Sequence, residues 1–371
     1  MDNLRVLLVG AGGYAAGYVR ELYQNGKAGG LTLIGVADPY AKNSPEYEKL
    51  LEMDAKIYDS VEAFYAESSA DLAIISTPIP LHAYQATYCM EQGSHVLLEK
   101  PIAATMEEAQ RILDAQKRTK KHLAIGYQWC YDRAMRAFQQ DVRSGLFGKV
   151  VSMKALVLWP RNQAYFSRGT GWAGKKYAKD GAPIFDCVAS NATAHYLENM
   201  LWLSGCELTD IRAETFRANP IETFDTLILR GRLGEGRLTF VTSHAADYRR
   251  PEGPMFEYAF EKGRARFGGL GEKGGELTFE FADGTKKEYG VTRPDGGERL
   301  SKLWDLVDVI RGAGEIACPA EEAMRHTRVM KEIFEKWPDA QAFDRADIRE
   351  DQGYMWVPGL YEKLVGAYQQ G

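Results

Sequence analysis

The chain has 371 residues, 45% of them hydrophobic and 26% charged, and a net charge of −5. That length exceeds one ordinary domain, and the acidic balance argues against a nucleic-acid surface. No apolar run reaches the roughly 20 residues that span a bilayer, no basic, apolar leader pattern precedes the first strand, and the scattered cysteines form no C-x-x-C pair, so the expectation is a reduced cytoplasmic protein with no membrane partner and no metal site.

The stretch from Arg5 to Asp38 comes first. The apolar run Val6–Val9 predicts a buried parallel strand. Gly10, Gly12 and Ala15 then fit G-x-G-x-x-G/A. Gly10 permits a tight turn, Gly12 lets the backbone approach a pyrophosphate, and Ala15 lets the next helix pack on the strand. Gly13 and Tyr14 complete the loop, and a helix from about Tyr14 to Gly26 offers N–H groups and positive dipole at its start. A second strand, Leu31 to Ala37, ends in Asp38. That carboxylate suits the ribose hydroxyls of NAD and repels the 2′-phosphate of NADP.

Strand and helix alternate to about residue 125. The pattern predicts a helix at Ser44–Met53, a strand at Lys56–Tyr58, a helix from Ser60 and a strand at Asp71–Ser76. A helix at Leu81–Gln92, a strand at His95–Glu99, a helix opened by the capping box Thr105–Glu108 and a strand at His122–Tyr127 follow. This is an α/β fold, a doubly wound parallel sheet over residues 1–125. From 126 to 371 the pattern predicts a second α/β domain with a mostly antiparallel sheet. It begins with a helix at Asp132–Ser144 and an apolar run at Val150–Trp159. A polar, aromatic segment and one long helix, Cys187–Leu203, follow. Short strands run from Leu208 to Tyr289, turning at Gly234-Glu235-Gly236 and Asp283-Gly284. Gly268–Gly275 reads as a flexible loop, and helices at Glu298–Arg311, Ala320–Lys336 and Leu360–Tyr368 close the chain.

Ligands of open α/β sheets sit beyond the carboxyl ends of the strands. That rule selects Gly10 to Tyr14, Asp38, Thr77-Pro78, Glu99-Lys100-Pro101 and Gln128. Lys100 is a cation directly after an apolar strand, and Pro101 admits a cis bond. On the long helix Asn191 and His195 stand four apart and share a face. A neutral His195 can take a proton from an alcohol, or it can bond a core carbonyl. Asp186, just before this helix, reads equally as its N-cap or as a catalytic carboxylate.

Together GAGGYA, VADP, STPIPLH, LLEKPIAAT and NATAHYLENMLWLSG resemble the glucose–fructose oxidoreductase/inositol dehydrogenase (Gfo/Idh/MocA) family over essentially the whole chain. The resemblance implies a Rossmann domain that binds NAD(P) and a second domain whose open sheet supplies the substrate pocket. It gives Lys100 contact with the reacting hydroxyl, His195 the proton, and Thr77, Pro78 and His82 a turn near the nicotinamide. Where many members carry Asp, this chain has Asn191, and Asp186 offers a replacement carboxylate. The pocket wall then falls on 159–177, with Arg161, Asn162, Tyr165, Arg168, Trp172 and Lys175 facing a polar, hydroxylated ligand. The expected activity is NAD-dependent interconversion of a secondary hydroxyl and a ketone on a sugar or cyclitol. The alternatives are redox-assisted glycoside cleavage and a non-catalytic NAD-binding regulator. An open sheet with one uncovered face, together with the family's habit, predicts a homodimer or homotetramer.

Overall fold

The computed structural model describes residues 3–168, 171–270, 275–292 and 299–371. Parts of the Gly268–Gly275 loop, and Glu298 at the expected helix start, lie outside the described residues.

The apolar runs of the N-terminal part form six parallel strands: β1 (Leu4–Val9), β2 (Leu31–Ala37), β3 (Lys56–Tyr58), β4 (Leu72–Ile75), β5 (His95–Leu98) and β6 (Leu123–Ile125). Their order is β3-β2-β1-β4-β5-β6. β4 and β6 are buried throughout, as strands covered on both faces must be. The chain runs outward from β1 to β3 and returns on the other side as β4, so the loops after β1 and β4 diverge at a switch point where such sheets bind ligands. The caps are local. Thr105 Oγ1 accepts from Glu108 N at 3.2 Å, and Asp132 Oδ1 accepts from Met135 N at 2.9 Å.

The helix expected over Ser44–Met53 is shorter, Tyr47–Glu52. Pro45 holds Ser44 extended (ψ 134°), and the Ser44 hydroxyl donates instead to Ala11 O at 2.7 Å. The chain divides into two compact units, 1–128 with 297–324, and 129–296 with 325–371. Residues 297–324 thus return to the first unit, where a single division at 125/126 assigned them to the second.

The second unit is built on a nine-stranded sheet of β7 (Val150–Leu158), β8 (Leu208–Arg217), β9 (Thr226–Leu233), β10 (Gly236–Ser243), β11 (Glu252–Phe260), β12 (Gly263–Phe267), β13 (Glu276–Phe281), β14 (Lys286–Val291) and β15 (Gln341–Ala342). The order is β14-β13-β12-β11-β7-β10-β9-β8-β15. Only β7–β10 and β8–β15 pair in parallel, among the described residues. The two predicted hairpins form, with Gly284 at φ 84° and Gly234 at φ 60°.

Both faces of this sheet are covered around β10. Val241 packs in a cluster with Leu156, Leu158, Ile228 and the helix Leu360–Gln370, through Leu360, Leu364 and Tyr368. Its neighbour Thr242 points to the opposite face, where its hydroxyl donates to Thr193 Oγ1 at 3.1 Å. No helix among the described residues is long and apolar enough to cross a membrane.

Leu364 is fully buried in that cluster. Leu364→Ala should lower the stability of the chain by about 2–5 kcal/mol, the usual range for emptying such a site, read from the urea midpoint.

Candidate functional site

The candidate residues fall into two sets, one in each unit. In the first unit the loop after β1 is fixed by its glycines. A Cβ on Gly10, at φ +88°, would stand 2.6 Å from Ser76 O, so only glycine lets the loop lie against the end of β4. At Gly12 and Gly13 a Cβ would meet nothing within 4 Å. The protein itself makes no steric demand there, which leaves backbone open to a close-lying phosphate. Ala15 is fully buried at the start of the helix Ala15–Glu21.

Asp38 reaches this loop directly. Its Oδ2 accepts from Ala11 N and its Oδ1 from Tyr40 N, both at 2.8 Å. A carboxylate has about four lone-pair sites, so these two bonds leave acceptor capacity for hydroxyls.

The turns after β4 and β5 are tied to each other. His82 is 1% exposed, and its Nδ1 lies 2.9 Å from Pro101 O and its Nε2 3.0 Å from Thr77 O. Burial holds the ring below its ordinary pKa, against the pull of those two carbonyls. His82 therefore braces the turns from inside, where a part in cofactor binding was expected of it. Thr77 Oγ1 donates to Gln85 Oε1 at 2.6 Å. The peptide between Lys100 and Pro101 is cis.

Glu99 is likewise an internal anchor and not a group at the rim. It is 6% exposed, accepts from Tyr18 Oη at 2.6 Å, and is ion-paired to Lys302. Lys302 comes from the helix Ser301–Ile310, has no exposed side-chain surface, and also donates to Gly126 O at 3.1 Å. Burial, the largest single effect, would lower its pKa, but the Glu99 carboxylate and the Tyr14 hydroxyl together outweigh it and raise the pKa. A Cβ on Gly126 would fall 2.9 Å from Glu99 Oε2, so this glycine makes room for the carboxylate. The Lys100 backbone N–H donates to Glu99 Oε2 at 3.3 Å, which fixes the start of the turn that carries the Lys100 side chain. Tyr14 Oη donates to Gln128 Oε1 at 3.1 Å, and the Lys302 ammonium lies 4.6 Å from the Tyr14 ring centre. Sequence reasoning missed Lys302. Its one trace is a lysine among the apolar positions of SKLWDLVDVI.

In the second unit the expected long helix is two pieces. Cys187 caps a π-turn, Val188–Ala192, by a reciprocal pair of bonds with Ser190. Thr193 N reaches back five residues to Val188 O at 3.0 Å, and the α-helix proper is Ala194–Ser204. The break falls between Asn191 and His195, so their spacing of four does not place them on one helix face. Asn191 Nδ2 donates to Asp186 Oδ1 at 2.9 Å, and Asp186 Oδ2 accepts from Gly174 N at 2.6 Å. The N-cap is thus Cys187, and Asp186, 3% exposed, ties the 174 loop to the π-turn. His195 lies in the first turn of the α-helix and is 7% exposed.

The segment after β7 is a cluster of aromatic and cationic side chains. Asn162 caps the short helix Gln163–Phe166, its Oδ1 accepting from Tyr165 N at 3.2 Å. Tyr165, Trp172 and Trp159 stack with Arg161 and Arg168. Lys175, expected to face a ligand, instead pairs with Glu222 at 2.9 Å. His244 Nδ1 lies 2.8 Å from Trp159 O.

The glycine loop, the acid at the end of β2 and the parallel sheet define a dinucleotide-binding Rossmann domain. Residues 4–127 match the model of the oxidoreductase family with an NAD-binding Rossmann fold. The rhizopine catabolism protein MocA of Rhizobium meliloti is 27% identical over 58% of this chain and 62% of its own length. An alpha-N-acetylgalactosaminidase of Shewanella oneidensis is 34% identical over 43% of this chain and 32% of its own length. The chain thus spans 62% and 32% of these two curated relatives. The WlbA dehydrogenase of Bordetella pertussis, solved with NADH and UDP-GlcNAcA, shares the fold, with a TM-score of 0.72 at 22% identity over 91% of this chain and 97% of that one.

Two outcomes follow from the buried charges. Lys302→Met leaves Glu99 uncompensated and should cost about 3–5 kcal/mol in urea unfolding. Adding Glu99→Gln removes the stranded charge and should recover part of that loss. For His244, burial first and then Arg161 push the ring down to about 3. The unfolded chain takes up this proton near ~6.5, the folded chain far lower, so this group removes stability as pH falls below ~6.5, by about 1.4 kcal/mol per unit. Between pH 6.5 and 5 the urea midpoint should fall less steeply in His244→Asn than in the parent.

Proposed function

We propose that the chain is an NAD-dependent oxidoreductase interconverting a secondary hydroxyl and a ketone on a sugar, cyclitol or derivative. The observation that carries this reading is the setting of Lys100, a cation directly after β5 on a turn held from inside by Glu99 and Lys302, in the same domain as the open glycine loop. Gly12, Gly13 and Asp38 fit the pyrophosphate and ribose of NAD. When bound, NAD supplies the acceptor for the hydride leaving the oxidised carbon. The Lys100 ammonium holds the substrate hydroxyl oxygen and stabilises the negative charge that grows on it. His195, uncharged, accepts the hydroxyl proton. Asn191 and Asp186, bonded to each other, position the π-turn that leads into His195. The reading includes a cytoplasmic homodimer or homotetramer.

The likeness to an alpha-N-acetylgalactosaminidase favours a second reading, redox-assisted glycoside cleavage. There the same oxidation acidifies a neighbouring C–H, the aglycone is eliminated, and the cofactor is restored within one turnover. Mass spectrometry of cofactor that co-purifies, followed by sugars, cyclitols and aryl glycosides with NAD, separates the two. Net NADH formation supports the dehydrogenase, and aglycone release without NADH supports cleavage.

Lys100→Met should lower kcat by roughly 10²–10³, the usual worth of one donor to a developing oxyanion, with NAD affinity little changed. Near-normal turnover would remove Lys100 from the chemistry. In fluorescence titrations NAD should bind more tightly than NADP, and Asp38→Ser should narrow the gap. Equal affinities in the parent would refute the role given to Asp38.

A further inference from the structure

Two arginines of the second domain lie over aromatic rings without an ion-paired carboxylate among the described residues. The Arg168 guanidinium carbon lies 3.5 Å from the Tyr165 ring centre and 4.6 Å from that of Trp172. The Arg161 guanidinium carbon lies 5.0 Å from the same Tyr165 ring and 5.6 Å from Trp159. One tyrosine thus carries two cations. Arg161 Nε is buried and has no hydrogen-bond partner. Arg168 donates one N–H to Tyr165 O, and neither guanidinium is ion-paired to a carboxylate among the described residues. Some arginines of this domain have acids beside them, as in Arg230 with Glu214 and Arg250 with Glu362, and others, such as Arg217 and Arg232, donate to backbone carbonyls.

The nearby titrating groups feel both signs of charge. His244 is driven down first by burial, then by Arg161, and further by Arg168, with no carboxylate acting against them. It stays neutral and adds no charge of its own. Asp186 raises the Tyr165 hydroxyl pKa, after burial and ahead of the opposing pull of Arg168 and Arg161; its oxygens accept from Gly174 N and Asn191 Nδ2, so two cations share the surroundings of one carboxylate. Stacking on aromatic faces holds each planar fork in place. Two forks held over one ring are placed to take an oxyanion, which each can grip in bidentate fashion.

We propose that Arg161 and Arg168 bind a carboxylate or phosphate group carried by the substrate, so that the chain acts on an anionic sugar or cyclitol derivative. The site itself stands on the arginines alone; that its occupant is the substrate rests on the oxidoreductase reading.

The test is thermal unfolding of the full chain with malonate or inorganic phosphate as probe, against sodium chloride at equal ionic strength. Either probe should raise Tm saturably with its concentration. The rise should vanish in Arg161→Gln/Arg168→Gln and persist in Arg230→Gln. Arg161→Lys keeps the charge without the fork and should weaken the effect. Binding of NAD to each variant, followed by fluorescence, reports separately on the Rossmann domain. Turnover of hexuronates and hexose 6-phosphates against the parent hexoses then names the source of the anion. The preferred class should exceed the neutral sugar at least about tenfold in kcat/KM, a gain of one charge-assisted bond. No rise with either probe in the parent chain, or an equal rise in the folded double variant, overturns the site. Probe binding with no NAD reduction by any sugar would defeat the oxidoreductase reading and leave the anion site standing.

Discussion

Glu99 and Lys302 meet where neither is wetted, and much of the first domain is arranged around that meeting. Bringing two charges out of water costs several kcal/mol per ion, and only close pairing with further hydrogen bonds offsets it. Here those bonds come from Tyr18 on the first helix and from the Gly126 carbonyl beyond β6. The pair therefore joins the glycine-loop helix, the end of β5, the end of β6 and the helix Ser301–Ile310. Lys100 follows Glu99 directly, and its own backbone is bonded to the Glu99 carboxylate. A flexible lysine is thereby given a fixed root, which suits a group that must meet an oxygen whose charge changes during reaction.

The same rim is held by uncharged parts as well. His82 couples the turn at Thr77 to the turn at Pro101 from a position with almost no exposure. Asp38 bonds Ala11 in the glycine loop, and Ser44 bonds the carbonyl of the same residue. Side chains that a motif reading assigns to the cofactor are thus largely occupied in shaping the backbone around it. This is the usual division in a precise site, where the groups that touch the ligand are few and the groups that hold them are many.

The second domain works differently. Its sheet is covered on both faces at β10, and its polar groups gather on the segment after β7 and on the π-turn. There the fold sets two cations on aromatic rings and ties Asp186, which acts on the same tyrosine, to the 174 loop and to Asn191.

What could be read in the sequence is what depends on near neighbours. The six parallel strands, the Gly10 turn, the Thr105 cap and the two hairpins each follow from residues a few positions apart, where propensity and turn chemistry act. What tertiary structure decided depends on residues far apart in the chain. Lys302 lies 203 residues from Glu99, and no local pattern pairs them. Regular spacing placed Asn191 and His195 on one face, but the Cys187–Ser190 cap and the five-residue reach of Thr193 broke that helix between them. Asp186 stood where a cap would stand, yet its carboxylate found a better donor in Gly174, twelve residues back. Sequence set the elements because each is stabilised largely by itself. It did not set the partners of the buried charges, because a charge removed from water pairs with whatever the packed chain brings within hydrogen-bonding distance.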